Sequence, residues 1–349
     1  MSPLPRFQRL AFFTRVLDAA SAAERYRLAA EQIAHAEAQG YDAAWVAQHH
    51  FHEDEGGLPS PFVFLGHLAA RTSRIRLGTG IITLPLELPV RVAEDAIVLD
   101  LISGGRLELG VGNGGNPSAF AGFELANEHR NALFVQNLAR LRGALKGEAI
   151  PGGDTLYPAH PALAERIWQA TFSVSGGARA GLAGDGLMLS RTQPRPPGMP
   201  HASLAELQDP IIDAYLAALP AGRAPRIVGS RSVFVAGSRA EARRLAEIGL
   251  RTQVRRFVEK GHEPPGDTLD AMIAAFDVHL GTPDDVIESL RADRTLARCT
   301  DLAVQVHSID PPHPLILRSI ELVAREVAPA FGWQPGGAQT QPAKAEAVA

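Results

Sequence analysis

Residues 75–112 read IRLGTGIITLPLELPVRVAEDAIVLDLISGGRLELGVG, and this stretch decides the fold. Ile75 to Leu84 is a run of strand length, Pro89 to Ile102 is helical, and Arg106 to Gly112 is a second strand. A strand, a helix and a strand in that order make a crossover unit with parallel strands. The alternation continues outward in both directions. Upstream lie a strand from Arg9 to Val16 and a helix from Ala22 to Gln39, capped by Ser21 and ended by Gly40. A strand from Asp42 to Gln48 and a helix from Pro61 to Thr72 follow. Downstream, a helix spans His129 to Lys146, and strands run from Ile167 to Val174 and from Gly186 to Ser190. A seventh strand, Arg226 to Val235, precedes a helix from Ser238 to about Lys260. An eighth, Asp301 to Val306, is closed by a helix from His313 to Val327.

Eight strands alternating with helices argue for a parallel sheet, and eight is the number that closes a (β/α)8 TIM barrel. A doubly wound open sheet is the rival. The barrel is expected as a single domain over residues 1–333, with a disordered tail at 334–349, where apolar periodicity stops. Two segments read as irregular, Arg191 to Pro200 and Gly261 to Asp270.

Composition narrows the function. A net charge of −4 over 349 residues, with no basic cluster, gives no footprint for nucleic acid. No apolar run is long enough to span a membrane, and the start carries no cleavage signal. The single cysteine, Cys299, leaves no intramolecular disulfide and no multi-thiolate metal site, which suits a cytoplasmic location.

Three stretches carry candidate chemistry. Gly110-Val111-Gly112-Asn113-Gly114-Gly115 matches the dinucleotide fingerprint in spacing, but Asn116-Pro117-Ser118 continues the loop where that motif needs a helix. Its glycines either shape a loop or let backbone approach a flat ligand. Ser173-Val174-Ser175-Gly176-Gly177 ends a strand and opens a helix, which gives either an ordinary serine cap or an anion site of free N–H groups. His49, His50 and His52, followed by Glu53, Asp54 and Glu55, read as a metal cage, a solvated loop or a proton-transfer site. On an extended backbone His50 and His52 share one face and His49 points to the other. A histidine at the C-terminal end of a barrel strand is where catalytic groups lie.

These stretches together resemble the bacterial luciferase-like, flavin-dependent monooxygenases. The likeness rests on Ala47-Gln48-His49-His50-Phe51, the run from Arg74 to Pro85, Pro89 to Asp95, Leu99 to Arg106 and Gly110-Val111-Gly112. It covers nearly the whole chain and weakens between Arg191 and Val278. The resemblance implies a (β/α)8 barrel, usually a homodimer, that uses reduced FMN and molecular oxygen on a small organic substrate, with a separate flavin reductase as partner. It implies that His49 is the active-site histidine beside the isoalloxazine and His50 the second of the pair. Thr79, Gly80, Ile81 and Gly112 become cofactor contacts, with Gly80–Ile81 aligning with a non-proline cis peptide under the ring. Ser173, Ser175, Gly176 and Gly177 fall where the family holds the FMN phosphate. Asn113 stands where relatives can carry a phosphate-binding arginine, and the loop from Ser190 to Arg195, with Arg191, is the candidate to compensate.

The expected function is an FMN-dependent monooxygenase with no metal. The rivals are a deazaflavin-dependent oxidoreductase on the same fold, a flavin-binding protein without turnover, and a metal-dependent hydrolase built on the His/Glu/Asp cluster.

Overall fold

The computed structural model describes residues 5–336 apart from 197, 200, 260, 262 and 265. Of the tail expected to be disordered, residues 337–349 lie outside the described residues. Ten strands form the sheet: β1 Arg9–Thr14, β2 Ala43–Val46, β3 Arg76–Thr79, β4 Ile82–Thr83, β5 Leu107–Gly112, β6 Ile167–Ala170, β7 Gly186–Leu189, β8 Ile227–Val235, β9 Val278–Gly281 and β10 Asp301–Gln305. Eight of them close in the order β1-β2-β3-β5-β6-β7-β8-β10, with β10 pairing back onto β1, and every pairing is parallel. This is the (β/α)8 barrel; the open sheet is excluded by the β10–β1 ladder, in which Arg9 faces Asp301 and Phe12 faces Val304.

The elements that depart from the sequence reading do so for local reasons. The run from Ile75 to Leu84 is two strands: β3 pairs with β2 and β5, the Gly80–Ile81 peptide is cis, and β4 then pairs with Val111 and Gly112 of β5. The strand expected to reach Val174 stops at Ala170, because the Ser173 hydroxyl accepts the Gly176 N–H and starts a helix at Val174. A helix from Leu204 to Ala218 was not expected: its Ser203–Glu206 capping box is a clear start, but Pro210 inside it interrupts the helical pattern. Strand β9, also unexpected, lies outside the ring and pairs with the second half of β8, Ser232 opposite Val278.

Among the described residues, three hydrophobic clusters and a charged plug hold the structure, one of them packing Leu245, Leu250 and Met272 around Phe234 and β9. The largest packs helices on the outer face of the strands. The lumen is filled by Trp45 and Trp168, edge to face with centroids 5.7 Å apart, among Ala11, Ala43, Met188, Val228 and Ala303. Glycine is required beside both rings, since a Cβ at Gly78 would lie 2.2 Å from Trp45 and one at Gly186 2.1 Å from Trp168. Phe13, Ile81 and Ala170 pack on this cluster from the C-terminal ends of their strands. At the opposite end Glu108 accepts hydrogen bonds from Arg76, from Arg9 at 3.2 Å and from Trp168 Nε1 at 2.6 Å, and Arg9 also pairs with Asp301. The plug leaves the C-terminal mouth as the open end. No described helix is long and apolar enough to cross a membrane.

Candidate active site

Barrel geometry brings the loops after β1, β2, β3, β5, β6, β7 and β10 to one mouth, and nearly all the residues singled out in the sequence sit there. The three imidazoles after β2 go three ways. His49 Nε2 lies 3.1 Å from an Arg15 terminal nitrogen. A guanidinium can only donate, so Nε2 accepts and the ring is neutral with its proton on Nδ1. His50 is buried edge-on against Phe123, at 4.9 Å, and burial lowers its pKa. His52 is exposed, with Nε2 2.8 Å from the Ser118 hydroxyl. Among the described residues no group of three or more metal-ligating side chains gathers.

The segment after His52 is more than a solvated loop. The Glu55 carbonyl accepts from Arg15 and its carboxylate accepts from Asn116; the Glu53 carbonyl accepts from Arg25 at 2.7 Å. These bonds fold the loop across the mouth from β1 to β5. Gly56 packs flat on His49, where a Cβ would lie 2.4 Å from Nδ1.

After β3 the Thr79 hydroxyl is fully used by β5: it accepts from the Gly110 N–H at 2.9 Å and donates to the Gly110 carbonyl at 2.8 Å. That close approach explains the glycine run, since a Cβ at Gly110 would sit 2.0 Å from the Thr79 carbonyl oxygen. Gly112 makes room for Ile81 in the same way. Asn113 Nδ2 donates to Asn131, and its Oδ1 is buried with no partner.

After β6 the hydroxyls of Ser173 and Ser175 lie 3.3 Å apart, both residues exposed, at the head of the helix Val174–Leu182. The first N–H groups of a helix have no intrahelical acceptor, so Val174 and Ser175 present free donors beside two hydroxyls. Gly176 and Gly177 serve packing: Cβ atoms there would meet Thr171 Oγ1 at 1.9 Å and the Ile211 carbonyl at 2.4 Å. The cradle is therefore serines and amides, with glycines that let the helix close on its neighbour.

After β7, Arg191 is buried and its Nη1 donates to the Ser308 hydroxyl at 3.1 Å. Ser308 follows β10, where His307–Ser308 is also cis and His307 Nδ1 lies 2.7 Å from Asp310. Burial chiefly, against the pull of Asp310, holds His307 down to about 4, so its ring is neutral near pH 7. Arg15, His307, Ser308 and Asp310 were missed in the sequence. Their signal was position alone: each follows the end of a barrel strand.

Among the described residues, several buried polar atoms without a partner lie at this mouth. They include Arg15 Nε after β1, His50 Nε2 after β2, Asn113 Oδ1 after β5, Arg191 Nε and Gln193 Oε1 after β7, and Gln305 Oε1 at the end of β10. Native interiors leave few such atoms unsatisfied, and so many at one end mark a place for a polar ligand.

The sequence profile of the luciferase-like monooxygenase family matches residues 8–298. The uncharacterized protein y4vJ of Sinorhizobium fredii is 34% identical over 179 residues, 49% of this chain and 51% of that protein. The oxygenase component of the flavin-dependent trigonelline monooxygenase of Acinetobacter baylyi is 33% identical over 109 residues, 31% of this chain and 30% of that protein. The matches thus span about half the length of the first relative and under a third of the second. Among solved structures, monooxygenase RslO1 from Streptomyces bottropensis matches with TM-score 0.78 and 25% identity, over 93% of this chain and 99% of that one. Two more share the fold. The oxygenating constituent of 3,6-diketocamphane monooxygenase from Pseudomonas putida, in complex with FMN, has TM-score 0.72 and 19% identity over 94% and 98% of the two chains. The coenzyme F420-dependent tetrahydromethanopterin reductase of Methanopyrus kandleri has TM-score 0.65 and 17% identity over 94% and 100%.

Proposed function

The chain belongs to the luciferase-like monooxygenase family, and from that premise we propose that it is the oxygenase of a flavin-dependent system. It binds reduced FMN at the barrel mouth, receives it from a separate reductase, and uses molecular oxygen to oxidise a small organic substrate. The observation that supports this reading is that the unsatisfied His50 Nε2 and Asn113 Oδ1 share the mouth with a helix N-terminus that can take a phosphate. Reduced flavin supplies the electrons that activate oxygen; the protein supplies position, dryness and proton control. Ser173, Ser175 and the first helical amides would hold the phosphate. Gly80–Ile81, Gly112, Asn113 Oδ1 and His50 Nε2 are placed around the strand ends to take the ring. His49, held neutral by Arg15, manages a proton, and the loop from Phe51 to Gly57 shields it from solvent.

FMN should bind at least about tenfold more tightly than riboflavin, equivalent to about 1.4 kcal/mol for the phosphate. Ser175→Ala should weaken FMN several-fold and leave riboflavin unchanged, as read by flavin fluorescence quenching. Equal affinity for the two flavins would remove the phosphate cradle. Oxygen uptake with chemically reduced FMN tests the activity. Turnover with a reduced deazaflavin and none with FMN and oxygen would move the protein to the other cofactor.

We also propose a homodimer. Val63 on the helix Pro61–Ala69 and Val98, Leu101 and Ile102 on the helix Pro89–Ile102 are exposed, and Val63, Val98 and Ile102 line one groove with Tyr157. Their neighbours Phe64, Leu65, Ile97 and Leu99 are turned into the core, so the apolar surplus is specific to the outer face. A second copy of the same face would cover it. Light scattering at micromolar concentration should give a dimer, and Val98→Glu with Ile102→Glu should give a folded monomer. A monomeric wild type would end this assignment.

A further inference from the structure

Among the described residues three arginines are buried, and their partners differ in kind. Arg231 is paired with Asp293. Arg106 has no carboxylate, but its N–H groups are spent on the Thr72 hydroxyl and on the carbonyls of Ala69, Thr72, Ile75 and Ser103. Arg191, 4% exposed, makes a single hydrogen bond, to Ser308, and its Nε is buried with none.

Arg15 approaches the same place from β1. Its one terminal nitrogen serves both His49 and the Glu55 carbonyl, and its Nε is also without a partner. Among the described residues neither arginine has a carboxylate oxygen within 4.0 Å. Of the acids farther out, Asp277 pairs with Arg195 and Asp54 with Arg256 at 3.8 Å, while Asp310 and Glu55 accept hydrogen bonds from His307 and Asn116 and act on the arginines only at longer range. Burial first, then the like charge of Arg15, draws Arg191 down to about 9. Two guanidiniums near enough to repel, with no direct ion pair and with Asp310 acting on both only at longer range, leave N–H groups for an anion between them.

We propose that Arg191 and Arg15 bind the carboxylate of the organic substrate, so that the enzyme acts on organic acids. The inference rests on the mouth being the active site. The proposed phosphate cradle follows β6, opposite β1 in the eight-strand ring and so away from Arg15; Arg191 follows β7, next to β6, and the FMN titration below separates the two anions there. The flat fork of a guanidinium matches the two oxygens of a carboxylate, and Ser308 fixes one side of the fork so that the remaining N–H groups are poised.

Calorimetric titration of the flavin-free protein with acetate, benzoate and succinate, each against its neutral amide, tests this. At least one acid should bind tenfold or more tightly than its amide. Arg191→Gln and Arg15→Gln should each remove that preference while FMN affinity stays within about threefold. Arg15 is only half-buried, so its variant keeps the test open if Arg191→Gln fails to fold. No preference for acids in the wild type, or a preference that survives both substitutions, overturns the proposal. So does a loss of FMN binding in Arg191→Gln as large as that in Ser175→Ala, because the arginine would then serve the flavin. If the wild type binds acids through Arg191 but no FMN, the flavin reading fails and the anion site stands.

Discussion

Replacing His49 with alanine should lower oxygen-dependent turnover about 100-fold or more, the range for losing a general acid or base, while fold and FMN affinity stay within a few-fold. The imidazole is held on two sides, and its backbone on a third. Arg15 donates to Nε2, Gly56 packs on its face, and the His49 N–H donates to the Leu58 carbonyl at 3.0 Å. A neutral ring fixed in one tautomer can take one proton at Nε2 once Arg15 gives way, and can then return it. Truncation removes that group but leaves the strand end, because the ring is not part of any of the three hydrophobic clusters. His52→Ala and Glu53→Gln should change turnover little, since both residues are exposed on the outer side of the loop. Full turnover in His49→Ala would sink the assignment, and an essential His52 with stoichiometric bound metal would replace it with hydrolase chemistry.

Glu108→Gln should destabilise the barrel by roughly 3–5 kcal/mol, the usual loss when one partner of a buried ion pair is removed. Glu108 is 3% exposed and is the shared acceptor for Arg9, Arg76 and Trp168, so losing its charge leaves Arg76 without a carboxylate and Arg9 with Asp301 alone. Burial alone would raise its pKa; Arg76 and Arg9 outweigh burial and carry it down to about 2. A carboxylate whose folded pKa is depressed contributes stability that is complete above its unfolded value, near 4.5, and is lost as pH falls toward 2. Urea denaturation at neutral pH should therefore separate wild type from variant widely, and the gap should narrow between about pH 4.5 and 2. A variant as stable as wild type at pH 7 would show that the plug is not a stabilising element.

The sequence by itself determined the elements with strong local signals. The helix Pro89–Ile102 begins and ends where its residues predict, and Ser21, Ser173 and Gly40 act as the capping rules require. Such features depend on neighbours two to four residues away, which the sequence displays directly. The number of barrel strands was legible for the same reason. The cis peptide at Gly80–Ile81 came into view only through resemblance, and the break of the third strand there not at all, since Ile75 to Leu84 is uninterrupted by pattern. Strand β9 is four residues between two helices and carries His279, too short and too polar to stand out.

Tertiary structure alone decided the site. Arg15 and His49 are 34 residues apart, Arg191 and Ser308 117, and Arg9 and Asp301 292. No periodicity links such pairs. They meet because closure of the β10–β1 ladder sets the register of every strand end around the mouth. Packing against neighbouring elements likewise explains two of the glycines. Gly110 and Gly177 look like ligand loops in the chain, but each lies against a neighbouring element's carbonyl oxygen, where a Cβ has no space.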